Sequence, residues 1–257
     1  MSKLSILLSG ASGRLGRAVR ASAAELSDVF VAAGIDPSRS EDDIPVFADA
    51  SEVPDSLRIG AVIDCSHHTA VKKLLELSLR RWLPTVICTT GHTEEEAALI
   101  RAAAEKIPVF WSGNMSLGVN LLVSLAKKAA QILGKGWDVE IIEKHHSKKL
   151  DAPSGTALMI ANALSEAVAE SSGEEAEYVY ERQSRHAERR PNEIGIHSVR
   201  GGTIVGEHEV IFAGRDEILT LTHSAASRGI FAEGALRAAK WLIGQPAGLY
   251  DMSDMIG

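Results

Sequence analysis

Residues 4–16 read LSILLSGASGRLG. The aliphatic run Leu4 to Leu8 predicts a first strand, and Gly10-Ala11-Ser12-Gly13-Arg14-Leu15-Gly16 follows it at once. A helical pattern then continues through Leu15, Val19 and Ala23. Strand, glycine turn and helix in that order lift a glycine motif above a chance match. The glycines permit a tight turn and let the backbone approach a pyrophosphate at the positive end of the helix. The spacing is GxxGxxG rather than GxGxxG, so the competing reading is a purely structural turn. A second strand, Phe30 to Ile35, ends in Asp36, about 20 residues past Gly16, where a carboxylate meets an adenine ribose hydroxyl. Turn and acid together predict dinucleotide binding. Asp36 favours a free 2′-hydroxyl, whereas Arg14 and Arg39 would neutralise a 2′-phosphate; the expectation is use of NADH or NADPH, with a lean to NADH.

The alternation continues outward. Ala61 to Asp64 predicts a strand, Thr69 to Trp82 a helix with Val71, Leu74, Leu75 and Leu79 on one face, and Thr85 to Cys88 another strand. Thr93 to Lys106 predicts an Ala/Glu-rich helix and Val109 to Trp111 a short strand. Repeated βα units of this length imply an α/β fold with a Rossmann-like doubly wound parallel sheet. Ligands of such sheets bind at the carboxyl ends of the strands. Three small polar loops fall there: Cys65-Ser66-His67-His68, Cys88-Thr89-Thr90-Gly91 and Ser112-Gly113-Asn114-Met115-Ser116. Each is suited to lie against a nicotinamide and its ribose, and each is equally an ordinary turn. His67 and His68 are expected to be solvated or capping residues, and no metal site is expected. The long helix Ser116 to Leu133 is expected to bury Leu117, Leu121, Leu125 and Ala129.

The chemistry concentrates in Glu143 to Ala157, EKHHSKKLDAPSGTA. The β-branched run Trp137 to Glu143 predicts a strand, and if it reaches the histidines, His145 and His146 point to opposite faces. Asp151-Ala152-Pro153 breaks regular structure, and Ser154 suits the N-cap of a helix that begins Gly155-Thr156. That helix start, with Lys148, Lys149 and the Thr156 hydroxyl, suits a carboxylate or phosphate. The bland alternative is a strand-to-helix turn with surface lysines. Farther on, Arg182 to Pro191 reads as a solvated, mobile basic connection. Ile194 to Arg200, Thr203 to Phe212 and Glu217 to Ser224 predict three antiparallel strands with turns at Gly201-Gly202 and Gly214 to Asp216. The second half is therefore expected to be α+β with an open mixed sheet, mostly antiparallel. Those strands are too apolar to face water, which predicts sheet packing between subunits. Ser227 to Leu242 predicts a closing helix that returns to the first domain. The expected division is 1–116 with 227–257 for the dinucleotide, and 117–226 for substrate binding and assembly.

Composition bounds the partners. A net charge of −7 and a sequence pI of about 5.7 argue against nucleic acid. With 45% hydrophobic residues the chain can bury a large core. Two cysteines, Cys65 and Cys88, without paired spacing point to a reduced, cytoplasmic protein. No apolar run approaches the length of a membrane span, so no membrane partner is expected.

Six blocks together, GASGRLG, TTG, NMSLGVN, EKHHSKKLDAPSGTA, RGGTIVGEHEVIF and THSAASRGIFAEGALRAAKWL, closely resemble the 4-hydroxy-tetrahydrodipicolinate reductases (dihydrodipicolinate reductases) of bacterial diaminopimelate and lysine synthesis. HHxxKxDAPSGTA is the most specific of them. The resemblance implies NAD(P)H-dependent reduction of a cyclic, unsaturated dicarboxylate imine to tetrahydrodipicolinate. It implies that Gly10, Ala11, Ser12, Gly13, Arg14 and Leu15 hold the pyrophosphate, and Asp36 the adenine ribose. Cys88, Thr89 and Thr90, with Ser112, Gly113, Asn114 and Met115, would line the nicotinamide side. His145 falls on the acid/base position and Lys149 on the proton donor, a lysine that neighbouring cations would make readier to give up its proton. His146, Gly155 and Thr156 match positions that hold the substrate carboxylates. A homotetramer joined through the second sheet is implied as well. Another two-domain dehydrogenase would share the glycine turn without the histidine-lysine signature, and a silent NAD(P) sensor would bind cofactor without turnover.

Overall fold

The computed structural model describes residues 3–38 and 43–257; Arg39 lies outside the described residues. In chain order the elements are β1 (Leu4–Ser9), α1 (Arg14–Ala24), β2 (Val29–Ile35), β3 (Val46–Phe47), β4 (Ala61–Asp64), α2 (Val71–Arg81) and β5 (Thr85–Ile87). Next come α3 (Glu94–Ala104), β6 (Pro108–Trp111), α4 (Leu117–Leu133), β7 (Asp138–His145), α5 (Gly155–Ser172), β8 (Glu177–Val179) and β9 (Glu193–Arg200). The chain ends with β10 (Glu207–Ala213), β11 (Ile218–Ser224), α6 (Gly229–Leu242), β12 (Gly248–Tyr250) and α7 (Met252–Ile256). Two compact units result, one of residues 1–117 with 228–257 and one of residues 118–227.

The first unit holds a seven-stranded sheet in the order β12-β6-β5-β4-β1-β2-β3, and every pairing in it is parallel. Helices on both faces explain why the central strands are continuous apolar runs rather than alternating ones. Ile6, Leu7, Leu8, Val62 and Ile63 have no exposed surface. On one face α6 buries Ala232, Ala235, Leu236 and Ala239 with Val19 and Ala23 of α1. On the other, α2 packs Leu74 and Leu77 over Leu7 and Val62, while Ile100 and Ala103 of α3 join Ile87 and Val109. The helix α6 sits so close that a Cβ built on Gly234 would lie 1.7 Å from the Met115 carbonyl oxygen, which requires glycine there.

The second unit is a five-stranded sheet in the order β11-β10-β7-β9-β8. The sheet is evenly mixed: β10 runs antiparallel to β7 and β11, while β9 runs parallel to β7 and to β8. The expected run of three antiparallel strands is corrected in two ways. Strands β9 and β10 flank β7 instead of pairing with each other, and residues 203–206 lie outside any strand. Gly201 and Gly202 make no hairpin, because their backbones bond instead to the chain after β7: Gly201 N–H to His145 O at 2.9 Å, and Ser147 N–H to Gly202 O at 3.3 Å. Phe212, Val210, Ile141 and Ile196 meet Ile160, Ala161 and Leu164 of α5 on one face.

Two further expectations fail. The core stripe of α4 is Val119, Leu122, Ala126 and Ala130, whereas Leu121 and Leu125 are 46% and 49% exposed. The helix LGVNLLVSLAKKAAQIL is apolar over most of its circumference, so period alone admits either stripe. The basic run is pinned rather than mobile. Arg182 reaches Glu193 and Glu140 at 2.8 and 2.7 Å, Arg185 reaches Glu177 at 2.8 Å, and Arg189 reaches Asp138 at 3.0 Å. Glutamates spaced along neighbouring strands are what fix these arginines, a pairing that no local pattern reveals.

Candidate active site

In the first unit the glycine turn is held by backbone contacts. Gly10 takes φ +75°, and a Cβ on it would lie 2.5 Å from the Cys65 carbonyl oxygen; a Cβ on Gly16 would lie 2.1 Å from Gly10 O. Neither position accepts a side chain. No side chain caps the start of α1 after Gly13, an arrangement whose amides and dipole favour an anion. Asp36 follows β2 and accepts from Ser12 N–H at 3.0 Å through Oδ2, and from the Ser38 N–H and hydroxyl at 3.0 and 2.7 Å through Oδ1. Partial burial alone would push its pKa up, but the bonds from Ser38 and Ser12 outweigh this and hold the carboxyl below the usual carboxylate range. Asp36 is therefore an anion tied to the turn that precedes α1. A turn that excludes side chains, an uncapped helix start and this acid fit a dinucleotide.

Past the ends of β4 and β5 lies a pocket of about 350 Å³ lined by Leu15, Cys65, Ser66, His67, His68, Cys88, Thr89 and Thr90. It brings the glycine turn and two of the three polar loops together. The organiser is Asp64, fully buried, which accepts from Ser66 N–H at 3.1 Å, the Ser66 hydroxyl at 2.5 Å and the Thr89 hydroxyl at 2.8 Å. The third loop adjoins this pocket through Gly113, whose Cβ would stand 3.3 Å from Thr90 Cγ2. Within it the Ser112 hydroxyl donates to Asn114 O at 3.0 Å, and Asn114 Oδ1 accepts from Ser116 N–H at 3.0 Å. Met115 turns its side chain into the core at 2% exposure, so only its backbone belongs to the loop surface. His67 caps a short turn, with Nδ1 3.0 Å from the Thr69 hydroxyl, and His68 pairs with Glu96 at 2.8 Å. Among the described residues no cluster of acids, histidines and cysteines suits a metal ion.

In the second unit the site grows from the last turns of β7. Side chains alternate, so Glu143 and His145 share the inner face, at 0% and 8% exposure, and His146 follows on the other side. Glu143 accepts from His145 Nδ1 at 2.6 Å, from Arg200 at 2.8 and 2.7 Å in a two-pronged contact, and from Ser154 N–H at 3.1 Å. Burial alone would push the Glu143 pKa up, but the bonds from Arg200, His145 and Ser198 bring it down to about 2. The glutamate thus remains charged and leaves His145 Nε2 as the ring's outward nitrogen. Gly206 lies against that edge, a Cβ on it being 3.1 Å from Nε2.

Ser154 is the N-cap of α5; its hydroxyl oxygen accepts from Ala157 N–H at 3.2 Å and lies within hydrogen-bond distance of His208 Nε2, at 3.1 Å. Burial, with His145 nearby, lowers the His208 value to about 4, so this ring is neutral. Gly155 and Thr156 form the first turn of α5, where backbone N–H groups lack intrahelical acceptors. Lys149 follows on the loop, its N–H bonded to His146 O at 3.1 Å. Besides the cations that the sequence places near it, this lysine has an anion at hand: its ammonium pairs with Asp151 at 2.8 Å. The residues missed from sequence are Asp64, Glu143, Arg200 and His208. Glu143 was detectable, two positions before His145 on a strand and so on the same face; Arg200 reaches it only because β9 pairs with β7 with Arg200 opposite His145.

A parallel sheet with this turn and strand-end acid, joined to a unit carrying a histidine, a lysine and a helix start suited to carboxylates, defines a nicotinamide-dependent oxidoreductase. Residues 4–115 match the N-terminal domain of dihydrodipicolinate reductase and residues 118–256 its C-terminal domain. The chain is 49% identical to a 4-hydroxy-tetrahydrodipicolinate reductase of Caldanaerobacter subterraneus subsp. tengcongensis over 98% of this chain and 97% of that one. It is 42% identical to the like-named protein of Clostridium tetani, over 98% and 96% of the two chains. The chain belongs to the dihydrodipicolinate reductase family. Its fold superposes on a dipicolinate-bound dihydrodipicolinate reductase from Paenisporosarcina sp. TG-14 with a TM-score of 0.81 at 24% identity, covering 97% of each chain. A Corynebacterium glutamicum diaminopimelate dehydrogenase shares the architecture more distantly, with a TM-score of 0.56 at 13% identity over 98% of this chain and 93% of that one.

Proposed function

We propose that the chain reduces 4-hydroxy-2,3,4,5-tetrahydrodipicolinate to tetrahydrodipicolinate in diaminopimelate and lysine synthesis, using NADH or NADPH with a lean to NADH. The observation that carries the reading is the Glu143–His145 pair beside Lys149 and the start of α5, the chemistry a dicarboxylate imine requires. When bound, the nicotinamide supplies hydride to the conjugated imine. Gly10 to Leu15 hold the pyrophosphate and Asp36 the adenine ribose, while Cys88 to Thr90 and Ser112 to Met115 flank the ring. The helix start at Gly155 and Thr156, with His146, binds the substrate carboxylates through N–H donors and the helix dipole.

Protonation at the carbon next to the reduced centre needs a positioned acid. Lys149 is that acid, and Asp151 holds its ammonium in place until substrate arrives. His145, fixed by Glu143, presents Nε2 as an acid/base group for proton transfer. In this reading residues 1–116 with 227–257 serve the cofactor and 117–226 the substrate and assembly. A cytoplasmic homotetramer joined through the second sheet completes the proposal. Its support is that Ile142 and Ile211, half-buried, and Val199 and Ile218, 43% and 69% exposed, lie on the sheet face away from α5. No helix among the described residues is long and apolar enough to cross a membrane.

The test is oxidation of NADH and NADPH followed by absorbance, with substrate generated in situ from pyruvate and aspartate semialdehyde by the preceding synthase. Synthase-dependent oxidation is expected with both cofactors, faster with NADH. Binding of both without consumption would overturn the reductase reading in favour of a sensor, and equal or better efficiency with NADPH would overturn the lean.

A further inference from the structure

Cys65 and Cys88 lie far apart in the chain, yet the fold sets them side by side. Strands β4 and β5 pair in parallel with Val62 opposite Thr85, Ile63 opposite Val86 and Asp64 opposite Ile87. The next pair in that register is Cys65 and Cys88. Both backbones are still held there, Cys65 N–H by Ser9 O and Cys88 N–H by Asp64 O, each at 2.9 Å. Neighbouring strands stand about 4.7–4.9 Å apart, within the Cα separation of roughly 4.4–6.8 Å across which a disulfide closes. Both cysteines are free and half-buried, and both line the pocket of about 350 Å³. A small solute entering that pocket meets both sulfurs.

We propose that Cys65 and Cys88 are an oxidisable dithiol, and that hydroperoxide converts it to a disulfide that closes the nicotinamide side of the pocket. The second half of this statement rests on the cofactor reading given above. The Cys65 sulfur attacks the terminal peroxide oxygen; an S–O bond forms, the O–O bond breaks, and the leaving alkoxide or hydroxide takes the thiol proton. The Cys88 sulfur then attacks the Cys65 sulfur; the S–S bond forms, the S–O bond breaks, and hydroxide leaves with the Cys88 proton as water. Two thiols and one hydroperoxide give one disulfide, one alcohol or water, and one further water; the sulfurs lose the two electrons that the peroxide gains. The neighbouring Cys65 thiol and then burial push the Cys88 thiol up, which suits Cys88 to resolve rather than to attack.

Closure acts on cofactor binding because the neighbouring backbone has no slack. The Cys65 carbonyl oxygen stands where a Cβ on Gly10 would come within 2.5 Å, so a shift of Cys65 presses on the glycine turn. The loops after both cysteines are joined through Asp64, by Ser66 on one side and Thr89 on the other. Displacements of ~1 Å at a positioned site cost up to about a hundredfold; here the expected effect is a loss of about tenfold or more in NADH affinity, reversed by dithiothreitol.

The experiment treats the full chain with hydrogen peroxide. Free thiols are titrated, peptides are mapped without reduction, and NADH affinity is measured by fluorescence on the same samples. Expected are the loss of both thiols, one peptide pair cross-linked through Cys65 and Cys88, and weakened NADH binding that dithiothreitol restores. Cys65→Ser and Cys88→Ser, each compared with its own untreated sample, should show no dithiothreitol-reversible loss. Separate sulfinic acids without the cross-link, cross-links only between chains, or a cross-link with unchanged NADH affinity would each overturn the proposal. Failure of the reduced protein to bind NADH would instead overturn the cofactor reading and the closure with it, while the mapped cross-link would still decide the dithiol chemistry.

Discussion

Replacing Glu143 with glutamine removes one charge and almost no volume from a fully buried position. The amide cannot accept from Arg200, His145 and Ser154 together, and its own N–H groups oppose those donors. The fall from 4.5 to about 2 corresponds to about 3 kcal/mol of folding stability at neutral pH, in line with the roughly 3–5 kcal/mol lost on breaking a buried pair. For a chain of this size that is roughly 6–12 °C in Tm. The sign is fixed by linkage: a carboxylate whose folded value is depressed stabilises fully above the unfolded value near 4.5, and loses that contribution as pH falls toward 2. At pH 3 about 1.4 kcal/mol remains. Thermal unfolding of the native chain and of Glu143→Gln, followed by circular dichroism, should show a gap that is wide at pH 7 and about two-fifths as large at pH 3. Turnover should fall by about a hundredfold at pH 7, because His145 loses the acceptor that fixes its tautomer. Equal gaps at pH 7 and pH 3, or a variant that melts with the native chain at pH 7, would refute the reasoning.

Lys149→Ala should cut turnover by about a hundredfold or more, the scale of general acid loss, with NADH affinity from fluorescence titration unchanged. Asp36→Ala should raise the KM for NADH by roughly tenfold, as for a lost hydrogen bond to a charged group, and raise that for NADPH less; steady-state kinetics with both cofactors checks it. His208, with its folded value lowered to about 4, binds fewer protons than the unfolded chain, so it withdraws stability as pH falls from 6.5 toward 4. His208→Gln should therefore lose about 2 kcal/mol less than the native chain between pH 7.5 and pH 4.5, read from denaturant midpoints. Gly234→Ala drives a methyl toward the Met115 carbonyl and should destabilise by about 1–3 kcal/mol, measured by thermal unfolding.

The parallel sheet was legible because buried strands write themselves as short apolar runs separated by amphipathic helices, and the turn from Gly10 to Gly16 punctuates the first of them. The second sheet was legible only as strands. Which strand lies beside which depends on a parallel pairing between β7 and β9, and a glycine pair at 201–202 looks the same in a hairpin as in a crossover. The core side of α4 escaped for a related reason: a helix apolar nearly all round carries no phase, and packing decides between Leu121 and Leu122. In the site, His145 and Lys149 stood out by residue type. Their environment did not, because Arg200, Asp151 and His208 act through contacts that only the tertiary structure creates. The arginines between 182 and 190 show the same limit, charged residues being exposed until a partner on another strand is found.

The first unit takes its covering helix α6 and its edge strand β12 from the last part of the chain. During synthesis the ribosome therefore delivers the middle unit whole before the amino-terminal one can finish. Until α6 emerges, the face of the parallel sheet around Ile6, Leu8 and Ile63 is covered only in part, by Val19 and Ala23 of α1, and β6 waits at an open edge. The usual amino-to-carboxyl order of domain folding is thus reversed, and truncation anywhere within the closing helix costs the first unit part of its core while sparing residues 118–227.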